Sequence, residues 1–375
     1  MEISLIKNGR LKNLPFLISI FYKYTHIVLT FENFSVIIMQ ISNKKEVYMD
    51  KTTLNELLSK FSSEHPLIKY KSKPYYIEFE KLICSLQLNN AKLDLKIEEL
   101  LKDNGNFSIY KYNQGISELL IWFLLEKRHL NYQIEKKINK TQKDVDLVIS
   151  IGDAFYNVEV KSPEYEERKE KQISGIIANR STNKEIFNIA NDIKSLISQQ
   201  LSVIGYEKVD IEYPKDNKVK DTLLSAQSKF NNNNSKNCNV LYLSTNTNEF
   251  VKYLNYIVNS ESGFFTPNSY VKHSEYNKVM AIVLTNAISL NHKFDKNSWD
   301  ASKAITLILH NPFCETQNFT LLEKLFEIIP NQTHKFCDGL REFRKQQFNN
   351  EDPLPEYSYY IDFVASEGYN LNNEK

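Results

Sequence analysis

The sequence predicts an α/β protein, a sheet flanked by helices, and three observations carry that expectation. Apolar runs of strand length, "DVDLVISI", "AFYNVEVK", "NVLYLST", "KVMAIVLTNA" and "AITLILHN", recur from residue 144 with helical or loop sequence between them. One long segment, "NQGISELLIWFLLEKRHL", is apolar on most helical faces and so belongs inside. The chain has 375 residues, 42% hydrophobic and 25% charged, with 9 Gly and 10 Pro, which is enough apolar material for a substantial core.

The elements follow in order. Residues 1 to about 50 read as short strands, as in "HIVLTFENFSVIIMQIS" with a turn at Glu32 to Phe34. "TTLNELLSKFSS" opens with a Thr cap and repeats apolar residues at Leu54, Leu57, Leu58 and Phe61, the spacing of an amphipathic helix. "PYYIEFEKLICSL" and "AKLDLKIEELLKDN" continue in mixed or helical fashion, and "DNGN" at 103 to 106 breaks the pattern. After the apolar helix come three strands, "NYQIEKKI", "DVDLVISI" and "AFYNVEVK", the last two joined by a tight turn at Gly152 and Asp153. The charged run "PEYEERKEKQ" leads to a helix over "FNIANDIKSLISQQLSVIGY"; "NNNNSKN" at 231 to 237 reads as a mobile polar loop, and helical sequence fills most of the remainder. Three regions result: an N-terminal α+β region over 1–105 for recognition or dimerisation, a core over 106–312 and a helical region over 313–375.

Composition excludes more than it selects. A formal charge of +1 gives no overall pull toward nucleic acid, so a binder of this balance needs a local basic face. Cys84, Cys238, Cys314 and Cys337 form no CxxC pair, which argues against a disulfide scaffold or cysteine zinc site and for a cytoplasmic setting. The seven His, among them His129, His310 and His334, show no HExxH spacing, and no Gly-rich phosphate loop is present. "LPFLISIFY" is too short to span a bilayer and reads as core, so no membrane partner is expected.

Chemistry concentrates at "KDVDLVISIGDAFYNVEVKSP", residues 143–163. Side chains alternate along a strand, so Glu159 and Lys161 share one face while Val158 and Val160 take the other. The hairpin brings Asp146, at the head of one strand, beside Glu159 near the end of the next. Two carboxylates that close resist ionising together unless a cation lies between them. Hard cations such as Mg²⁺ take oxygen ligands of this kind. Glu118, inside the apolar helix, needs either a partner at such a site or a solvated stripe of its own. The competing reading is a surface hairpin with charged, cross-strand-paired side chains on its wet face.

A helix bearing Glu, a strand opening with Asp and a strand carrying Glu-x-Lys resemble the core of the PD-(D/E)XK nuclease superfamily, with a restriction-endonuclease-like mixed sheet flanked by helices. The resemblance covers about residues 112–163, and the 13-residue gap from Asp146 to Glu159 is typical of it. It implies Asp146, Glu159 and the Val160 carbonyl as metal ligands, Lys161 as the catalytic lysine and Glu118 as an auxiliary acid on the metal. Val145 stands where the family often has Pro, and Asp144 offers a further carboxylate on the face of Asp146. Glu-x-Lys alone is a weak signal, since Glu135 and Glu167 also begin one.

The implied activity is Mg²⁺-dependent phosphodiester hydrolysis, with Mn²⁺ as a substitute, on DNA in restriction or anti-phage defence; a homodimer is one assembly compatible with it. Nucleases of RNA or of damaged DNA, and a retired nuclease fold that only binds, are the alternatives. Three weaker candidates complete the list: Glu164 to Gln172 and Gln199 with Gln200 for substrate contact, and the interleaved Lys69, Tyr70, Lys71, Lys73, Tyr75 and Tyr76 for stacking and charge.

Overall fold

The computed structural model describes residues 51–86, 93–163 without 104 and 139–143, 217–348 without 233, 260 and 261, and the short pieces 175–177, 188, 192, 195–196 and 210–212. The expected strands before residue 51, the helix around 187–206, Glu164 to Gln172, Gln199 and Gln200 lie outside those residues or in their isolated fragments. Five helices come first: α1 (Lys51–Leu58), α2 (Pro66–Lys69), α3 (Pro74–Ser85), α4 (Leu93–Leu101) and α5 (Ile109–Lys127). Strands β1 (Asn131–Lys137), β2 (Asp144–Ile151) and β3 (Ala154–Lys161) follow, then β4 (Gly175–Ile177) and β5 (Asp210–Glu212), which pair with each other. Helix α6 (Asn217–Lys229), β6 (Asn237–Ser244), α7 (Thr247–Val258), β7 (Ala281–Thr285), α8 (Ala287–Asn291), β8 (Thr306–His310), α9 (Phe319–Ile328) and α10 (Thr333–Phe348) complete the order.

The α/β expectation holds: six strands form one mixed sheet in the order β1-β2-β3-β6-β7-β8. β1, β2 and β3 run antiparallel, β6 and β7 add in parallel, and β8 closes antiparallel. The hairpin turns where expected, with Gly152 at a φ of 57° that a side chain would strain. The parallel step from β3 to β6 needs a crossover, and α6 supplies it.

Both faces of the sheet are covered. Alternate residues of the central strands, among them Val158, Val160, Val240 and Tyr242, pack with α3, α5 and α9 in one core. Leu241, Leu243, Ile282 and Leu284 pack with α6 and α7 in a second. Strands buried on both sides read as continuous apolar runs, and "NVLYLS" and "AIVLT" do. Helix α5 is buried at every position from Gly115 to Leu125, including Glu118. Its Gly115 lets α4 approach so closely that a Cβ there would stand 2.1 Å from the Leu100 carbonyl oxygen.

Three expectations change. The first helix begins at Lys51, so its threonines sit in the first turn, not at the cap. Tyr75 and Tyr76 are buried: the Tyr75 hydroxyl meets that of Tyr112, donates to Asn291 Oδ1 at 3.2 Å, and its ring stacks on Trp299 at 4.9 Å. Tyr70, half-buried, stacks on Phe294 at 4.5 Å, so the Lys–Tyr run turns its rings toward the core and its lysines outward. The asparagine run is held by its neighbours: Asn234 Oδ1 accepts from the backbone N–H groups of Lys236 at 2.8 Å and Asn237 at 2.9 Å, and the Asn231 amide donates to the Ile138 carbonyl. Among the described residues, no helix is long and apolar enough to cross a membrane.

Candidate functional site

The β2–β3 ladder is regular from Ile151 opposite Ala154 to Leu147 opposite Val158. One residue further, Asp146 reaches across with its side chain: the Val160 N–H donates to Asp146 Oδ2 at 2.8 Å. On the other side, Glu135 has a φ of 49° between the pairs Ile134–Leu147 and Lys136–Val145. Such local distortions re-aim side chains at strand ends. Val145 joins the second core while Leu147 and Ile149 join the first, so the alternation that put Asp144 and Asp146 on one face is interrupted at Asp146. The site lies at the ends of two interior strands, β2 and β3, of the described sheet, in which β1 and β8 are outermost.

Glu159 stands on the β3 face opposite Val158 and Val160, and it is wholly buried. That removes the solvated hairpin as an explanation for its charge. Its Oε1 lies 2.6 Å from Lys161 Nζ and 2.7 Å from Lys229 Nζ, whereas Oε2 is buried with no hydrogen-bond partner among the described residues. Lys229, from the last turn of α6, also lies 3.4 Å from Asp146 Oδ1. One ammonium therefore bridges the two carboxylates, which must point at a common place. Burial, and then the neighbouring Asp146 charge, push the Glu159 carboxyl above its usual range, and the two lysines pull it back. For Lys229, burial lowers the ammonium pKa, and Asp146 and Glu159 more than reverse it.

Glu118 is 7% exposed, so it occupies no solvated stripe. Gln114, one helical turn earlier, donates from Nε2 to Glu118 Oε1 at 3.2 Å and to the Val160 carbonyl at 3.1 Å. Its Oε1 accepts from the Ser162 N–H at 2.9 Å. This one amide ties α5 to the end of β3 and fixes the carboxyl beside the strand. Burial first, and the Asp146 charge second, push Glu118 up to about 7; Lys96, Gln114 and Lys161 act against them. Lys96, on α4, is itself held by Glu99 at 3.5 Å and by a close pair with Glu135.

A raised carboxyl pKa favours the folded chain while the group is protonated. That contribution is complete below about 4.5 and is lost as pH rises through about 7. Glu118→Gln mimics the protonated acid. In metal-free buffer its stability relative to the wild type should therefore improve between pH 5 and pH 8, by up to about 3 kcal/mol, measured by calorimetric melting at both pH values. A constant difference across that range contradicts the shift.

The oxygen donors fit a hard cation in part. Two carboxylates converge, one of their oxygens is buried without a donor among the described residues, and the Val160 carbonyl can accept a second bond beyond that from Gln114. Among the described residues, no three His, Cys, Asp or Glu side chains lie together at metal-holding spacing. Asp144 Oδ1 is buried without a hydrogen-bond partner among the described residues. His310 is buried, and His129 is exposed.

The structure thus brings Asp146, Glu159, Lys161 and Val160 together, with Glu118 close by. It adds Gln114, Lys96 and Lys229. Gln114 was within reach of the sequence, since four residues along a helix place it beside Glu118. Lys229 sits 70 positions after Glu159 on a helix with no distinguishing pattern. Compared with known protein families, with curated proteins and with solved structures, the chain matches none.

Proposed function

We propose that this chain is a metal-dependent nuclease with a restriction-endonuclease-like core, hydrolysing phosphodiester bonds, with DNA as its substrate and restriction or phage defence as its setting. The observation that supports the reading best is the shared ammonium: Asp146 and Glu159, from different strands, aim at one cation-sized position. The order of a buried-Glu helix, an Asp strand and a Glu-x-Lys strand in one sheet agrees with the PD-(D/E)XK resemblance.

Asp146, Glu159 and the Val160 carbonyl would hold Mg²⁺, with Mn²⁺ as a substitute, and waters would complete its shell. Bound there, the ion would polarise the phosphate and lower the pKa of a ligated water. Each protein group then has a part. Lys161 is 26% exposed at its side chain, so its ammonium can leave Glu159 and donate to an anionic phosphate as charge builds in the transition state. Glu118, held beside the Val160 carbonyl by Gln114, would orient a water of the metal shell. Gln114 holds the Val160 carbonyl and Glu118 in fixed relation.

One observation favours a second reading. With Lys229 between them, Asp146 and Glu159 are already balanced without a metal, as a binding module that retired its chemistry would be. The test is cleavage of plasmid, single-stranded DNA and RNA with Mg²⁺ or with chelator, by wild type and Lys161→Ala. Metal-dependent cleavage reduced at least about a hundredfold by Lys161→Ala supports the nuclease. Binding without cleavage of any substrate supports the module, and cleavage needing neither metal nor Lys161 removes the proposed site.

A further inference from the structure

Lys229 is the feature that neither the strand motif nor the proposed chemistry requires. It projects from the end of the α6 crossover, with its side chain 20% exposed, into the gap between Asp146 and Glu159. At 2.7 Å from one carboxylate and 3.4 Å from the other, its nitrogen stands where a divalent ion shared by those groups would sit. Lys161 is placed differently: it contacts Glu159 at 2.6 Å, from the exposed end of the same strand.

We propose that Lys229 is a tethered counter-cation: its ammonium closes the metal-free site and must leave before a divalent ion can bind, so that metal loading and lysine release are one event. The inference rests on the metal-site reading above. Two cations within about 3 Å repel strongly in a partly buried site, so they cannot share the position. The paired carboxylates give the holding role its reason: Lys161 meets Glu159, and Lys229 is the cation that reaches both Glu159 and Asp146. A wholly buried carboxylate without cations is costly, and Asp146 beside it adds repulsion. The lysine stem is long enough to swing: it is anchored on α6, whose Leu223 and Ala226 are buried, while its own side chain keeps contact with solvent.

The test is Mn²⁺ titration by calorimetry of the full chain, as wild type, Lys229→Met and Lys229→Gln, with melting of each in chelator. Loss of the competing charge should tighten Mn²⁺ binding about tenfold or more in either variant, the scale of one pK unit of coupling. The same variants should melt lower than wild type in chelator and recover with Mn²⁺. The glutamine variant covers the case in which the methionine variant does not fold. Wild-type Mn²⁺ binding that is unchanged or weakened by both substitutions overturns the counter-cation and leaves the metal site standing. No saturable Mn²⁺ binding by any of the three proteins overturns both.

Discussion

Glu159→Gln should lower Mg²⁺-dependent phosphodiester cleavage by about a thousandfold, the upper range for removing one group that stabilises developing charge. The substitution keeps shape and volume, so the change is one of charge. A neutral amide has one weak oxygen, which Lys161 and Lys229, 2.6 and 2.7 Å from Oε1, would take, leaving an NH₂ group instead of an acceptor at the place of Oε2. Those ammonium groups also lose their buried partner, at a cost of about 1–3 kcal/mol, moderated because both lysines reach solvent. The two effects separate experimentally. Initial rates measured well below the melting temperature report the charge, and the melting temperature in chelator reports the partner. A variant that cleaves at the wild-type rate with Mg²⁺ leaves Glu159 a structural ion-pair residue only.

Gly115→Ala should be among the most destabilising single substitutions in the described structure. A Cβ there would lie 2.1 Å from the Leu100 oxygen and 2.8 Å from its carbonyl carbon, both backbone atoms that cannot rotate away. Helix α4 must move, and it carries the buried Ile97 and Leu101. Overpacking against backbone costs about 3 kcal/mol or more, near the upper end for added core methylenes. Cleavage should fall as well, since α4 bears Lys96 while α5 bears Gln114 and Glu118. Gly339→Ala is the control: nothing lies within 4 Å of a Cβ there, and alanine is the better helix former by about 1 kcal/mol. Thermal melts of the two variants should move in opposite directions from wild type. A Gly115→Ala protein that melts with wild type contradicts the close packing of α4 on α5.

The strands were legible because alternation and turn chemistry are local. The β2–β3 hairpin, the Gly152 turn and the three later strands follow from runs of a few residues, and strands packed on both faces need to be apolar throughout. The pairing of Asp146 with Glu159 was legible for the same reason, since a two-residue turn fixes the register. Burial of Glu159 was not, because the α6 crossover that covers it is separated from it by more than fifty residues and its pattern announces no partner. Lys229 was invisible on the same ground. The Lys–Tyr run misled because charge and aromatics interleave alike in a binding strip and in an amphipathic helix; Tyr75 and Tyr76 begin α3 and turn inward. Distortion at Glu135 and Asp146 had no sequence signal at all, since neither is glycine.

The central claim is that Asp146 and Glu159 hold one divalent ion between them, and anomalous diffraction from crystals of the wild-type chain soaked in Mn²⁺ tests it most directly. A single strong peak within about 2.3 Å of an oxygen of each carboxylate, a normal ligand distance for such ions, is the predicted result. A featureless map at that position, with Lys229 still bridging both carboxylates at saturating Mn²⁺, would contradict it.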